Sequence, residues 1–245
     1  MDVVAELIDE STCGRVFAND RLNRYLINRH FHRDIISDVV DLSSRGTVVY
    51  TAGCGGDDLV LVAGVHGNEL PSQVALVRLL SMICNDEVEL NSTLHIVPFL
   101  VPRATDLNVR FFEGVDLNRS AHLDSVSREI VDYAVDVNAS ALCDCHSTDP
   151  GNKPGIKCVF CSVSPMLDSL RIAKHVCGAT GSSILPVGRA GSVIRGAVED
   201  ECNLRGVPAV TCEVVCEFGT VNDVAVDESY SQIVEFLNYF DAVRW

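Results

Sequence analysis

Lysine is nearly missing from this chain of 245 residues: it stands only at Lys153, Lys157 and Lys174. Lysine and arginine together number 19 against 34 acids, a formal net charge of -15. A field of that sign repels phosphate backbones and anionic bilayers, which argues against nucleic acid or a membrane as partner. Long apolar runs are also absent, and none approaches the ~20 residues that cross a bilayer. The opening residues, Met1 to Glu6, lack a basic stretch followed by an apolar one, so no secretory signal is expected and a cytoplasmic location is. Repeats, low-complexity tracts and long linkers are missing too. With 47% hydrophobic and 22% charged residues, the expectation is one catalytic domain over 1–245 with a sizeable core, residues 1–45 being the least readable.

Cysteine is the exception to this sparseness. Eleven are present, an odd number without a signal for export, which predicts reduced and mostly buried thiols. Cys158 and Cys161 have CxxC spacing, but they sit in a strand-like stretch where residues three apart face opposite sides. A redox CxxC opens a helix instead, so these two read as structural, as do Cys143/Cys145 and Cys212/Cys216.

Strand and helix patterns alternate along the chain. Residues 48–51, 59–63, 94–100, 141–145, 158–163 and 208–215 read as strands. Residues 70–84, 127–137, 165–177, 192–204 and 229–243 read as helices, and apolar spacing over 15–33 (Phe17, Leu22, Leu26, Ile27, Phe31) allows another. Strands with continuous apolar runs, separated by helices, imply an α/β fold with a largely parallel or mixed sheet covered on both faces. In such sheets the sites lie beyond the carboxyl ends of the strands.

Chemistry collects at those ends. Gly64-Val65-His66-Gly67-Asn68-Glu69 sets an imidazole and a carboxylate three residues apart in a tight strand-to-helix turn. Asp144-Cys145-His146-Ser147 adds a second imidazole after another strand, with Asp144 and Ser147 placed to orient its ring. Two histidines, one glutamate and an open fourth position form the ligand set of hydrolytic zinc sites, which predicts one Zn2+ on His66, Glu69 and His146. The remaining histidines (His30, His32, His95, His122, His175) read as structural or exposed. In the stretch from Arg110 to Arg119, Arg119 can grip a carboxylate through two parallel hydrogen bonds, helped by the Asn118 amide. Arg110 can stand over a carbonyl oxygen that becomes negative, and Asp116 reads as a supporting acid. A glutamate inside the apolar strand 208–215 is costly without a task. Glu213 therefore reads as the general base and acid, with Glu217 as its nearest rival.

Taken in order, His66-x-x-Glu69, Asp116-Leu117-Asn118-Arg119, Asp144-x-His146-Ser147 and Thr211-Cys212-Glu213 resemble the zinc carboxypeptidase superfamily. The closer resemblance is to the succinylglutamate desuccinylase and aspartoacylase branch, over most of the chain from Val48 to Val215. The resemblance implies a three-layer α/β/α sandwich with a mixed, mostly parallel sheet of about eight strands. It implies one catalytic zinc on His66, Glu69 and His146, a carbonyl polarised by Arg110, a substrate carboxylate held by Asn118 and Arg119, and Glu213 as base. The implied reaction is hydrolysis of an N-acyl amino acid; the same chemistry on a short peptide would make a carboxypeptidase, and a zinc-binding pseudoenzyme is the third reading. Two departures stand out. Aspartoacylase-like enzymes carry a β-rich extension where one helix-like segment follows Glu213 here, so a more open site is expected. The substrate-closing tyrosine of carboxypeptidases also has no counterpart, since Tyr230 and Tyr239 fall on the last helix. Arg189 and Arg195 are either further carboxylate binders or exposed loop residues.

Overall fold

The computed structural model of the chain describes residues 3–28 and 33–245, with the side chains of 33–36 left aside. The strands are β1 (Val3–Asp9), β2 (Thr47–Ala52), β3 (Asp58–Ala63), β4 (Glu89–Leu90), β5 (Thr93–Val97), β6 (Ala141–Thr148), β7 (Cys158–Ser162), β8 (Ser183–Val187), β9 (Ala209–Val215) and β10 (Val243–Arg244). The helices are α1 (Asp20–Ile27), α2 (Arg33–Ser43), α3 (Leu70–Cys84), α4 (Pro102–Leu107), α5 (Val126–Asp136), α6 (Leu167–Thr180), α7 (Val198–Leu204) and α8 (Asp223–Tyr239). Eight strands form one mixed sheet in the order β1-β2-β5-β3-β6-β9-β7-β8, while β4 and β10 make a separate pair. The central run β5-β3-β6-β9 is parallel, and so is β7 with β8; the β1/β2, β2/β5 and β9/β7 pairs are antiparallel.

Side-chain alternation divides the central strands between two cores, because successive residues of a strand point to opposite faces. Leu59, Leu61, Cys143, Cys145, Val210 and Cys212 face one layer, with Leu22, Leu76, Ile172 and Phe236 from α1, α3, α6 and α8. Val60, Val62, Leu142 and Ala209 face the other, with Ile130 and Val131 from α5 and Val198 and Cys202 from α7. Burial on both faces explains why these strands read as unbroken apolar runs.

Several boundaries differ from the sequence reading. Residues 98–100 leave the sheet, since β5 stops at Val97, and His146 lies inside β6 rather than just past its strand. Only Val198–Leu204 of 192–204 is helical: Gly196 at φ 82° breaks the turn before it. α6 runs through Gly178 to Thr180 and is capped by Gly181 in the left-handed region. The last helix starts earlier, where the Asn222 side chain accepts the Ala225 amide, and Val243 pairs with Leu90 instead of extending it. Phe31, His30 and His32 lie outside the described residues. Among the described residues no helix is long and apolar enough to cross a membrane.

Candidate metal centre and its cleft

His66 and Glu69 occupy the turn between β3 and α3. Gly67 is needed there for a steric reason: a Cβ at that position would overlap the backbone of Ala104 and Thr105 in α4. Gln73, one turn into α3, reaches back with its Nε2 to the carbonyls of His66, Gly67 and Glu69, each at 3.3 Å. The turn is therefore fixed from both sides, and His66 and Glu69 are 2% and 3% exposed.

The two imidazoles converge on one carboxylate. His66 Nδ1 lies 2.8 Å from Glu69 Oε1, and His146 Nδ1 lies 2.7 Å from Glu69 Oε2. Each ring has an aspartate at its other nitrogen: Asp116 Oδ1 accepts from His66 Nε2 at 2.9 Å, and an Asp144 carboxylate oxygen lies 2.9 Å from His146 Nε2. A carboxylate at Nε2 fixes the proton on that atom and turns the Nδ1 lone pair inward. Lone pairs of two imidazoles then face the oxygens of one buried carboxylate, an arrangement that is repulsive unless protons or a cation lie between them. One ligand atom from each of the three residues falls within 4.8 Å of the others, the span expected around a single small ion. The donor set, its burial and its tautomers thus fit a cation. Among the described residues no other group of three or more His, Cys, Asp or Glu is gathered in this way.

The charges respond to this crowding. Burial pushes the Glu69 carboxyl upward, but His66 and His146 hold it well below the usual carboxylate range. Burial disfavours the charged His146 ring, yet Asp144 and Glu69 hold its pKa well above the ordinary value. Glu213 pairs with His146 across the β6/β9 ladder and so projects to the same face. Burial first, and then the Glu69 charge, push its carboxyl up to about 8. Its Oε2 is sealed from solvent without a hydrogen-bond partner. Glu217 is exposed and lies outside this group.

Arg110 donates from Nη1 to Glu69 Oε1 and from Nη2 to Asp116 Oδ2, both at 3.1 Å. Its guanidinium therefore stands at the edge of the cluster, where it also faces the cleft. Asn118 and Arg119 belong to a 3-10 turn, Leu117–Arg119, whose N-cap Asp116 side chain accepts the Asn118 amide at 3.0 Å. The Asn118 Oδ1 is spent on the Val198 N–H at 3.0 Å, and its Nδ2 lies 3.3 Å from His146 Nε2. Arg119 donates to the Asn118 carbonyl and is otherwise open to the cleft.

A cleft of about 830 Å³ connects His66, Glu69, Arg110, Asn118, Arg119 and Glu213. The structure thus brings together His66, Glu69, Arg110, Asn118, Arg119, His146 and Glu213, with His146 buried directly behind Glu69. Arg189 and Arg195 are exposed and do not line this cleft. What sequence reading missed is the far wall, Phe160, Leu185, Val193 and Ile194, together with Lys153, Ile156 and Phe218. These residues come from four separate segments with no shared motif, and only the β9-β7-β8 pairing gathers them. The other described histidines stay outside: His95 lies between Asp58 and Tyr133, His122 is beside Gly196, and His175 approaches Glu235. All eleven cysteines are free thiols. Cys158 faces the Glu213 row and Cys161 the opposite core, as the strand reading expects.

Residues 55–148 match the family described as the succinylglutamate desuccinylase/aspartoacylase catalytic domain. The matched span includes His66, Glu69, Arg110, Asn118, Arg119 and His146, and ends before Glu213. The fold is shared with a succinylglutamate desuccinylase/aspartoacylase from Rhodobacter sphaeroides (17% identity, TM-score 0.61, 81% of this chain and 60% of that one). It is shared as well with a metallo-carboxypeptidase from Burkholderia cenocepacia (15%, 0.60, 80% and 63%). A third structure is the tripeptide-bound cell shape determinant Csd4 from Helicobacter pylori (14%, 0.65, 81% and 56%). The chain spans 56% to 63% of the length of these structures. A search of curated proteins by sequence gives no significant match. The matched family and the first two of these structures are hydrolases by description.

Proposed function

We propose that the chain is a zinc-dependent hydrolase that cleaves an amide bond beside a free carboxylate, as an N-acyl-amino-acid deacylase. The observation that carries this reading is the convergence of two aspartate-held imidazoles on Glu69, open to a cleft that also holds Arg110, Arg119 and Glu213. His66, Glu69 and His146 would hold one Zn2+, which when bound supplies Lewis-acid chemistry and lowers the pKa of water. Arg119, with the Asn118 amide, binds the substrate carboxylate and so fixes the scissile amide in the cleft. Arg110 stands where negative charge develops on the carbonyl oxygen and stabilises it. Glu213 takes the proton of the attacking water and returns it to the leaving amine, releasing an amine and a carboxylate.

The two peptide-related neighbours favour a second reading, a carboxypeptidase acting on short peptides with the same residues in the same roles. The two are separated by amine release from the zinc-reconstituted protein on matched panels: N-acetyl and N-succinyl amino acids, and peptides with free or amidated C-termini. A deacylase acts on the first panel alone. A carboxypeptidase acts on the second and loses activity on amidation. Glu213→Gln should abolish turnover on whichever panel works while zinc stays bound; an unimpaired Glu213→Gln variant would remove both readings.

A further inference from the structure

The cleft has two chemically different halves. On one side of Glu213 stand the metal-ligating cluster and the two arginines. On the other, the floor is a row of side chains across three strands. Thr211 pairs with Phe160 across β9/β7, and Phe160 pairs with Leu185 across β7/β8, so all three point to the same face about 5 Å apart. The wall beside this floor is the segment 188–197, which contributes Val193 and Ile194. Val193 is 72% exposed, an apolar side chain held in the open beside the cleft.

This apolar half is built onto the carboxylate-binding turn. The Ala121 amide donates to the Gly196 carbonyl at 2.9 Å, and the Val198 amide donates to Asn118 Oδ1 at 3.0 Å. Gly196 packs so closely on the Arg119 carbonyl that a Cβ would overlap it. The grip on the carboxylate and the apolar wall therefore form one unit. A residue whose carboxylate meets Arg119 would have its side chain in the cleft that Val193, Ile194, Phe160 and Leu185 also line. The three strand residues of the floor carry no charge; of the cations in the lining, Arg110 is engaged by Glu69 and Asp116, and the exposed Lys153 stands on the loop that follows β6 rather than on the floor.

We propose that the carboxylate-bearing residue of the substrate carries a large apolar side chain, leucine- or phenylalanine-like, rather than an acidic one. This rests on the hydrolase reading for the role given to Arg119. An aspartate or glutamate side chain would be placed over Phe160 and Leu185, which offer its charge no partner, whereas leucine or phenylalanine would cover surface that is otherwise exposed to water. A pocket of this kind discriminates by exclusion as much as by attraction.

The test is calorimetric titration of free L-amino acids, as amine products, into the zinc-loaded protein. Leucine and phenylalanine should bind at least tenfold more tightly than aspartate and glutamate. Leu185→Arg should reverse that order by giving the floor a cation. Tighter binding of aspartate or glutamate to the wild type, or affinities that do not depend on the side chain, would overturn the inference. Because binding is read separately from turnover, either of those results can coincide with active amide hydrolysis, which leaves the hydrolase reading standing. Selective binding of leucine and phenylalanine by a protein inert on every amide would instead support the pocket and sink the hydrolase.

Discussion

At the scale of single residues, the site is a balance of buried acids and the groups that hold them. Asp144 is fully buried, and its charge lies against His146 Nε2, which favours a proton on that nitrogen and leaves Nδ1 to face inward. Asp144→Asn should therefore weaken zinc binding by about 10–100-fold, the range seen when such outer partners are removed; a metal-competition titration reads it. A second acid lies away from the ligands. Glu199, on α7, is pushed from its ordinary value of 4.5 up to about 8, first by burial and then by the neighbouring Asp200 charge. Folded protein thus keeps a proton that the unfolded chain gives up. The stability this confers is present in full below pH 4.5, falls as pH rises toward about 8, and is flat above it. Glu199→Gln should flatten this slope in denaturant titrations across that window. The residues proposed as ligands and helpers stand out in the sequence because each combines a chemical type with a strand end. The apolar half of the cleft does not, since Phe160 and Leu185 look like any buried strand residue until the pairing places them on the same face as Glu213.

At the scale of elements, the strand-to-helix turn after β3 determines whether the centre forms. α3 coincides with the helix read over 70–84, with Pro71 in its first turn, while the packing of Gly67 before it shows only in the fold. The partner is α4, a short helix that carries no sequence signal strong enough to be seen. Gly67→Ala should cost about 1–3 kcal/mol by overpacking against Ala104, and it should lower zinc affinity at the same time by displacing His66 and Glu69. Chemical denaturation and metal titration of one variant read both effects. Edge strands were the harder elements. β8 contains Pro186, which a strand tolerates only at an edge, and β1 is exposed over its middle. Neither has the doubly buried apolar run that identified the central strands. Residues 192–197 do not continue the helix read over 192–204, because Gly196 must adopt a positive φ to lie against the Arg119 carbonyl.

At the scale of the whole molecule, the sheet separates structural thiols from chemistry. Cys143, Cys145 and Cys212 point away from the cleft, with Cys143 Sγ 3.6 Å from each of the other two. Contact with the Cys145 and Cys212 thiols, and then burial, hold the Cys143 thiol well above its ordinary pKa, which leaves it protonated and unreactive. Only Cys13 and Cys54 are exposed, while Cys84 and Cys177 are half-buried. A thiol reagent should therefore modify two cysteines rapidly in native protein and the buried seven only on unfolding. Fast loss of more than four thiols would show that the core is not packed as described.

The central claim is that His66, Glu69 and His146 hold one ion on which hydrolysis depends. The most direct measurement is amine release as zinc is titrated into metal-free protein, run in parallel with His146→Ala. Activity should be absent without metal, rise to a plateau at one ion per chain, and be lost in the variant at every zinc concentration. Amide cleavage by the metal-free protein, or a variant that titrates like the wild type, would contradict it.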